Sequence, residues 1–464
     1  MKLEQFFTDY DDSLVADINV DPLGVLTIWS TLGQKIFRNR ISSISNDVRS
    51  YTLNLFHHHV IRRMIDDETF VLSPALAKLY QSKSSLSFKQ ACLIHLENIF
   101  VFSHVENEVL GWVKDAITGG IFGISKARRR WNIEGDKVML EFGHEKRHQI
   151  LVRQLLLGVS GRYKTPMVEM GFFDRQYHYR TTQSEPVWPD ADTFIEKNSK
   201  LCGLEKELRA YLQSLLLTDH KSPSAQFSAV PQTLKKHYVR AFHSQSAVGS
   251  YAKDYWLRVT KLNTGAAGVI LEVINDDLNS GTKPVPCGVF LRAQSVAQKR
   301  GVPEVHFQLA HVLAVEPFLT DLDLLFTLML SKQSRSTSDV SAAWHDHKRD
   351  PDTLPRTARA LQKNDSLRAV LAGRGKARLD DLTGLSVCAS LEEQIRSVLA
   401  YHGKVMALRG QAPWLSIDDL GEIKVHVRRP VAPAPESRGK DYWSNHYYIP
   451  QFANLIRGFR GVDG

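Results

Sequence analysis

The stretch DPLGVLTIWSTLGQKIF, residues 21–37, carries the pattern from which the fold class is predicted. Asp21 followed by Pro22 is typical of a helix N-cap and a first helical turn. The apolar residues behind this pair recur at mostly helical spacing: Leu23, Leu26, Trp29, Ile36 and Phe37. The stretch therefore predicts a helix over residues 22–37.

The same signals recur through the first hundred residues. A polar stretch that ends at Asp47 precedes apolar residues at helical spacing up to Arg63. Ser73-Pro74 and Ser87 look like two further helix starts, so we expect a helical N-terminal layer. Three later segments are also predicted to be helical: 194–217, Leu391–Leu408 and Ile449–Phe459.

Strand signals are confined to two regions. Residues 137–142 predict one short strand. Between residues 255 and 315, short apolar runs are separated by Gly, Asn, Asp and Pro, a texture typical of strands. The predicted fold class is mainly α, and α+β overall. Helical N-terminal and C-terminal regions are expected to surround a small mixed or antiparallel sheet in the middle.

Composition shifts along the chain predict three domains. Residues 1–180 form a helical N-terminal domain that contains a basic segment, and residues 181–340 form an α+β middle domain. Residues 341–464 form a basic, mainly helical C-terminal domain with a proline-rich linker at 431–440 and a terminal aromatic helix. The apolar face of that helix is expected to dock onto its own core, with a partner groove as the alternative.

Composition bounds the function classes. The chain has 464 residues, of which 43% are hydrophobic and 23% charged, and this excludes wholesale disorder. A net charge of +9 favours nucleic acid, an anionic membrane or an acidic protein as a partner, with a basic soluble enzyme or scaffold as the alternative. Four widely spaced cysteines favour a reducing compartment. Because we find no secretory signal and no long apolar run, we expect a cytoplasmic protein without a membrane partner.

The chemically most unusual segment is IFGISKARRRWNIEGDKVMLEFGHEKRHQILVRQLLLGVSGRYKTP, residues 121–166. Between residues 121 and 180, twelve Lys or Arg oppose six Asp or Glu. Such clusters bind phosphates by releasing counterions, and aromatic rings can stack on unpaired bases. The predicted phosphate contacts are Lys126, Arg128, Arg129, Arg130, Lys146, Arg147, Arg153, Arg162 and Lys164, and the predicted stacking residues are Trp131, Tyr163 and Tyr177.

A second basic patch is predicted at Arg374, Lys376 and Arg378, within a region where nine Lys or Arg oppose three Asp between residues 348 and 378. The alternative for both patches is a solvated face or a pairing surface for an acidic subunit. No nucleotide partner is expected, because 373–376 (Gly-Arg-Gly-Lys) lacks the spacing and the hydroxyl residue of a phosphate-binding loop.

Residues 144–148 form the pattern H-E-x-x-H. On a helix, His144 and His148 share a face and can hold one zinc ion, while Glu145 polarises the attacking water. Over these five residues the chain resembles the zinc helix of zincin metalloproteases. It departs from that family at Lys146 and Arg147, because the family usually has uncharged residues there.

The zinc hypothesis leaves the third ligand open. The candidates for it are Glu169, Asp174 and His178. The alternative for H-E-x-x-H is a polar, exposed helix start without metal. We therefore expect no cofactor and no catalytic residue, with zinc and Glu145 as the alternative. The three consecutive histidines His57, His58 and His59 point in different directions on a helix, so they cannot bind one metal ion together. A surface or subunit contact is expected for them.

As a basic, cysteine-poor chain without a defined motif, the protein is similar to accessory proteins of bacterial multi-gene anti-phage defence or mobile-element systems. That resemblance implies a subunit of a larger assembly with other protein subunits. The prediction is a non-enzymatic, cytoplasmic accessory or scaffold subunit that contacts nucleic acid, with DNA favoured over RNA. The alternatives are a zinc-dependent hydrolase and a protein-interaction scaffold without a nucleic-acid role.

Overall fold

The structure is a computed structural model that describes residues 21–332, 335–388, 390–418, 420–439 and 441–461. The α-helices are, in chain order, α1 Leu26–Phe37, α2 Val48–Asp66, α3 Pro74–Tyr80, α4 Leu86–Leu110, α5 Ile124–Glu134, α6 Gln154–Leu157, α7 Val159–Arg162, α8 Lys164–Glu169, α9 Trp188–Lys197, α10 Ser199–Leu216, α11 Gln232–Phe242, α12 Gln245–Thr260, α13 Gly265–Asn279, α14 Pro286–Lys299, α15 Pro303–Leu330, α16 Thr337–Asp346, α17 Thr353–Gln362, α18 Asp365–Ser386, α19 Leu391–Leu408 and α20 Ile449–Phe459. The strands are β1 Met139–Glu141, β2 Ser224–Gln226, β3 Leu415–Ile417 and β4 Ile423–Val425.

The fold is mainly α with small sheet content, as predicted. β1 pairs antiparallel with β2, with Leu140 opposite Ala225, and β3 pairs antiparallel with β4, with Ser416 opposite Lys424. None of the described helices is both long and apolar enough to cross a membrane. The N-terminal stretch considered for a secretory signal lies outside the described residues.

The chain forms two compact units. The first contains residues 21–38 and 263–450, and the second contains residues 39–262 and 451–461. These boundaries differ from the domain boundaries predicted from composition at residues 180/181 and 340/341. The division into three independently folding domains stays a prediction.

Helix α15 is the centre of the first unit. It is apolar on nearly all sides and packs against α1, α13, α14, α16 and α17. A buried polar group needs a hydrogen-bond partner, and the buried polar residues of its second half have one. Asp321 pairs with Arg349 at 3.0 Å, and Thr320 accepts the backbone N–H of Ser444 at 3.0 Å. The segment before α20 is thereby fixed along α15.

Two helices, α2 and α4, form the interior of the second unit. Asp47 caps α2 by accepting the backbone N–H groups of Arg49 and Ser50, and Ser85 caps α4 through the N–H of Phe88. Most residues of both helices are buried. Their interior positions include many polar side chains, which must therefore find partners inside the protein.

The three histidines of α2 illustrate this requirement, and the expectation that they lie at the surface is wrong. Each is buried, and each points to a different neighbour because successive helical positions are about 100° apart. His57 contacts the hydroxyl of Tyr238 at 3.1 Å, and His58 contacts that of Tyr179 at 2.8 Å. His59 bonds to a carboxylate, described below with its ion pairs.

The terminal helix α20 docks onto its own chain, which confirms that prediction. Phe452 and Phe459 are buried. From residue 451 onward the helix belongs to the second unit, where the amide of Asn454 donates to the backbone oxygen of Asn46 at 3.2 Å. Gly458 of α20 and Gly249 of α12 meet backbone to backbone.

The sheet expected between residues 255 and 315 is wrong. This region contains the end of α12, then α13 and α14, and the first part of α15. The Gly, Asn and Pro residues that suggested strand ends are helix boundaries: Gly265 and Asn279 bound α13, while Pro286 and Pro303 begin α14 and α15. Short apolar runs between such residues do not distinguish a strand from a helix.

Other predicted elements are close to the observed ones. The helices expected at 48–63 and Leu391–Leu408 are confirmed, and the strand at 137–142 contains β1. The helix expected at 22–37 is confirmed from Leu26 onward; Asp21 precedes it by five residues and accepts the N–H groups of Val25 and Leu26. α4 begins at Leu86 with Ser85 as its N-cap, two residues before the predicted Ser87. The single helix expected over 194–217 is wrong, because Asn198 ends α9 and caps α10 by accepting the N–H groups of Lys200 and Leu201.

Candidate nucleic-acid interface

Helix α5 carries the basic run on the second unit. Ile124 and Ala127 are buried where α5 packs against α4. The helix follows Gly123, whose positive φ of 87° is accessible to glycine without strain. Lys126 and Arg129 lie three residues apart on the exposed side of the helix. No carboxylate of the described residues forms an ion pair with either of them.

Arg128 and Arg130 of the same helix are paired. Arg128 donates from Nε and Nη2 to the two carboxylate oxygens of Glu108 at 2.9 and 2.5 Å, a bidentate geometry. This hydrogen bonding lowers the pKa of Glu108. Arg130 donates to Glu134, one turn further on, at 3.1 Å. Both guanidinium groups are therefore less available to a phosphate than the sequence suggests.

The aromatic residues predicted to stack on bases pack within the protein instead. Tyr163 is fully buried, and its hydroxyl accepts the backbone N–H of Asp47 at 3.0 Å. Tyr177 is 2% exposed. The half-buried indole of Trp131 packs edge to face on Phe227, with ring centroids 5.8 Å apart. The expectation that the two tyrosines offer stacking surfaces is wrong.

The H-E-x-x-H residues do not lie on an α-helix, so the premise of the zinc hypothesis is wrong. Lys146–His148 is a single turn of 3-10 helix, and Glu145 precedes it with an extended backbone. A side chain built at Gly143 would lie 2.3 to 2.7 Å from the imidazole of His148. The ring of His148 therefore folds back over the backbone of Gly143 instead of projecting outward as it would on an α-helix.

His148 has no free lone pair in this arrangement. Its Nδ1 accepts the backbone N–H of Glu145 at 3.1 Å, so in the neutral ring the proton is on Nε2. Nε2 lies 3.5 Å from the hydroxyl of Ser222 and 3.5 Å from a carboxylate oxygen of Glu141. Burial, with a contribution from the charge of Arg147, lowers the pKa of His148.

The remaining proposed zinc ligands are engaged elsewhere or lie apart. The ring of His144 lies against that of Tyr80, with centroids 6.0 Å apart. His178 and Asp174 bond to each other at 2.6 Å. Glu169 has an exposed side chain. In the described parts of the chain, no group of three or more His, Cys, Asp or Glu side chains is arranged to hold a metal ion.

Lys146 and Arg153 resemble Lys126 and Arg129 in their surroundings. Both are exposed, and neither forms an ion pair with a described carboxylate. Arg153 caps the start of α6 with a left-handed backbone, φ 58°. Their neighbour Arg147 is exposed too, but it pairs with Glu145 at 3.2 Å.

Arg162 and Lys164 are used in packing. Arg162 is half-buried, donates to the backbone oxygen of Leu157 at 2.8 Å, and covers the ring of Phe122 at 4.8 Å. Burial lowers the pKa of Arg162. The ammonium of Lys164 lies 4.5 Å from the centre of the Tyr177 ring. These two cations are held against aromatic rings of the protein.

Two buried residues of α4, which the sequence pattern did not single out, hold this segment. Glu97 accepts the backbone N–H of Ser160 at 2.7 Å and the amide of Gln154 at 3.2 Å. Asn98 accepts the same amide at 3.1 Å and donates to the backbone oxygen of His148 at 2.8 Å. Burial raises the pKa of Glu97 although these bonds oppose it. Adjacent Glu and Asn inside an apolar helical pattern were the available signal.

The second predicted patch lies in α18 of the first unit, next to a break. Ala372 and Gly373 have non-helical backbones with φ of 45° and 41°. Arg374 follows them, is exposed and forms no ion pair with a described residue. Lys376 pairs with Asp380 at 2.7 Å. Arg378 donates to the hydroxyl of Tyr401 at 2.9 Å. Of this patch, Arg374 alone is without a bonding partner among the described residues.

No family model, no curated protein and no solved structure matches this chain.

Proposed function

We propose that this protein is a non-enzymatic subunit that contacts nucleic acid through Lys126, Arg129, Lys146 and Arg153, which we name the free-cation face. The observation that supports it is that all four side chains are exposed and form no ion pair with a described residue, although carboxylates neutralise Arg128, Arg130 and Arg147 nearby. When such a cation binds a phosphate, the counterions of the phosphate are released, and no ion pair within the protein has to be broken first.

The segments that carry the four cations are neighbours in the second unit. At the start of α5, Gly123 lies against the side chains of Ile150 and Leu151, just before Arg153. At the other end of α5, Arg130 donates to the backbone oxygen of Met139 in β1 at 3.4 Å. Arg147, next to Lys146, lies 3.9 Å from Glu141 of the same strand. The segments that carry the four cations therefore adjoin one another, and we infer that one ligand reaches them all.

The hydrolase alternative has less support. Both nitrogens of His148 are engaged, and the two histidines of H-E-x-x-H do not share a helical face. Neither a nucleophile activated by a base nor a ligand set for a metal is assembled at this position in the described residues. Membership of an anti-phage assembly, the partner subunits and a cytoplasmic location stay predictions from sequence.

The test is nucleic-acid binding followed by fluorescence anisotropy between 50 and 200 mM salt. The face variant replaces Lys126, Arg129 and Lys146 with Gln. A matched control replaces Lys197, Lys206 and Lys253, three exposed lysines of the same unit without ion-pair partners in the described residues. Loss of phosphate contacts should lower the slope of log affinity against log salt by about 0.9 per contact on duplex DNA.

We expect the face variant to lose roughly two to three units of that slope, and the control to lose well under one. Affinity at 100 mM salt should fall at least about ten-fold in the face variant. Binding that is absent or independent of salt in the unmodified protein would contradict the proposal. Equal losses in both variants would show that only net charge matters and would contradict the assignment of the face.

A further inference from the structure

We infer that the free-cation face takes double-stranded rather than single-stranded nucleic acid. The inference rests on the proposed function and adds the ligand class. The choice between the two ligands depends on whether exposed aromatic side chains lie near the four cations. Proteins that hold single strands combine a basic groove with aromatic rings on which bases stack, and each stacked base contributes roughly 5- to 150-fold in affinity.

The aromatic rings near this face pack against other side chains or are buried. Trp131 packs against Phe227, and the guanidinium of Arg162 lies over Phe122. Tyr163 and Tyr177 are buried. The large apolar side chains that do project from these segments are aliphatic: Ile133, Met139 and Val152, which are 85%, 40% and 65% exposed. An aliphatic chain has no π-face, so an unpaired base gains little from this surface.

The cations favour a duplex by charge density. Duplex DNA has one phosphate charge per roughly 1.7 Å of axis, against roughly 3.4 Å for one of its strands. Each contact also releases more counterion from a duplex, about 0.9 against about 0.7 for a single strand. Lys126 and Arg129 are presented on a regular helix of 11 residues, a fixed array that a stiff duplex meets without first being ordered.

The experiment compares a fluorescein-labelled 20-base-pair DNA duplex with each of its separated strands, on the full chain, in the same salt series. We expect the duplex to bind at least about five-fold more tightly than either strand at 100 mM salt. The variant Trp131→Leu removes the half-buried ring of α5 and keeps an apolar contact with Phe227. It should change the affinity for either ligand by less than about two-fold.

Each outcome decides the inference. If the single strands bind as tightly as the duplex or more tightly, the inference is overturned and the proposed function stands. The same holds if Trp131→Leu lowers the affinity for single strands five-fold or more. Absence of binding to either form overturns the inference and the proposed function together. If Trp131→Leu fails to fold, the duplex and strand affinities of the unmodified protein still decide.

Discussion

The indole Nε1 of Trp29 donates a hydrogen bond of 2.7 Å to Glu316 in the interior of the first unit. The same carboxylate accepts the hydroxyl of Tyr447 at 2.9 Å, the backbone N–H of Asn445 at 2.8 Å and the hydroxyl of Thr320 at 2.9 Å. Burial raises the pKa of Glu316 to about 7, although the four hydrogen bonds oppose the shift. A buried glutamate that has no ion-pair partner in the part of the chain that the structure describes therefore joins α1, α15 and the segment before α20.

We expect Glu316 to make folding depend on pH between about 4.5 and 7. Because its folded pKa lies above its unfolded pKa, its contribution to stability is complete below about 4.5 and is lost as pH rises through about 7. The full effect is about 3 kcal/mol in the free energy of unfolding. Glu316→Gln should remove this dependence. Urea unfolding at pH 5, 6, 7 and 8 measures it.

The control for this prediction is Glu304→Gln, which alters an exposed carboxylate at the start of the same helix. Its stability should follow the unmodified protein at every pH. The free energy of unfolding of Glu316→Gln could instead fall from pH 5 to pH 8 as steeply as that of the unmodified protein. That result would show that Glu316 is not the titrating group.

We also expect His59, in the second unit, to make the protein less stable as pH rises. Its Nδ1 lies 2.9 Å from Asp192, and its Nε2 lies 3.5 Å from Glu205, an electrostatic contact rather than a well-directed hydrogen bond. Burial opposes the charged ring, but the two carboxylates outweigh it and raise the pKa of His59. Its contribution to stability is therefore present below about pH 6.5 and lost as pH rises through the folded value.

His59→Gln should lower the free energy of unfolding by about 1–3 kcal/mol at pH 6 and by less at pH 9. Asp192 keeps Arg62 as a partner in the variant, which limits the loss. His220→Gln, at an exposed position of the same unit, is the matched control and should have no effect at either pH. A cost for His59→Gln that is equal at pH 6 and pH 9 would contradict a charged His59.

Many of the helices were predictable because the capping residues and the spacing of apolar residues indicate the same helix bounds. Leu391–Leu408 has Ser390 as its N-cap and Glu393 in a capping box, and its predicted ends match the observed ones. The prediction for residues 255–315 failed because the apolar runs there are short and separated by Gly, Asn, Asp and Pro, a local pattern that supports a strand as well as a helix. Tertiary packing distinguishes the two, since α13 and α14 lie against α15.

The candidate site was predictable in its charge but only partly in its pairing. The Arg130–Glu134 pair joins residues four apart on α5 and could be read from the sequence, whereas the pairing of Arg128 could not. Glu108 of α4 is 20 residues from Arg128 in sequence, so no local pattern reveals their bond. The tyrosines offered for stacking were misjudged for the same reason, because burial of a single aromatic residue depends on distant segments.

Metal analysis tests the arrangement of His148. Because its Nδ1 accepts the N–H of Glu145, we expect no stoichiometric zinc in the purified, untagged protein or in a His144→Ala, His148→Ala variant. His148→Ala alone should cost about 1–3 kcal/mol in the free energy of unfolding, since that N–H loses its acceptor. His144→Ala should cost less. Stoichiometric zinc that disappears in the double variant would contradict this and restore the hydrolase hypothesis.

The close approach of α12 and α20 gives the sharpest prediction about stability. A Cβ at Gly249 would lie 1.8 Å from the carbonyl oxygen of Gly458, so both backbones would have to separate. Gly249→Ala should therefore lower the free energy of unfolding by about 3 kcal/mol or more. Gly203 is a matched control inside α10 of the same unit, where an added Cβ meets only the ring of His237 at 3.8 Å.

Gly203→Ala should be neutral or stabilise the protein by up to about 1 kcal/mol, because alanine favours a helix interior over glycine. Urea unfolding followed by circular dichroism measures both variants. A second readout separates undocking of the helix from global unfolding, since limited proteolysis should cut the Gly249→Ala protein near residues 449–459 before other helices are lost. Equal stability of the two variants would mean that α20 does not pack on α12 in solution.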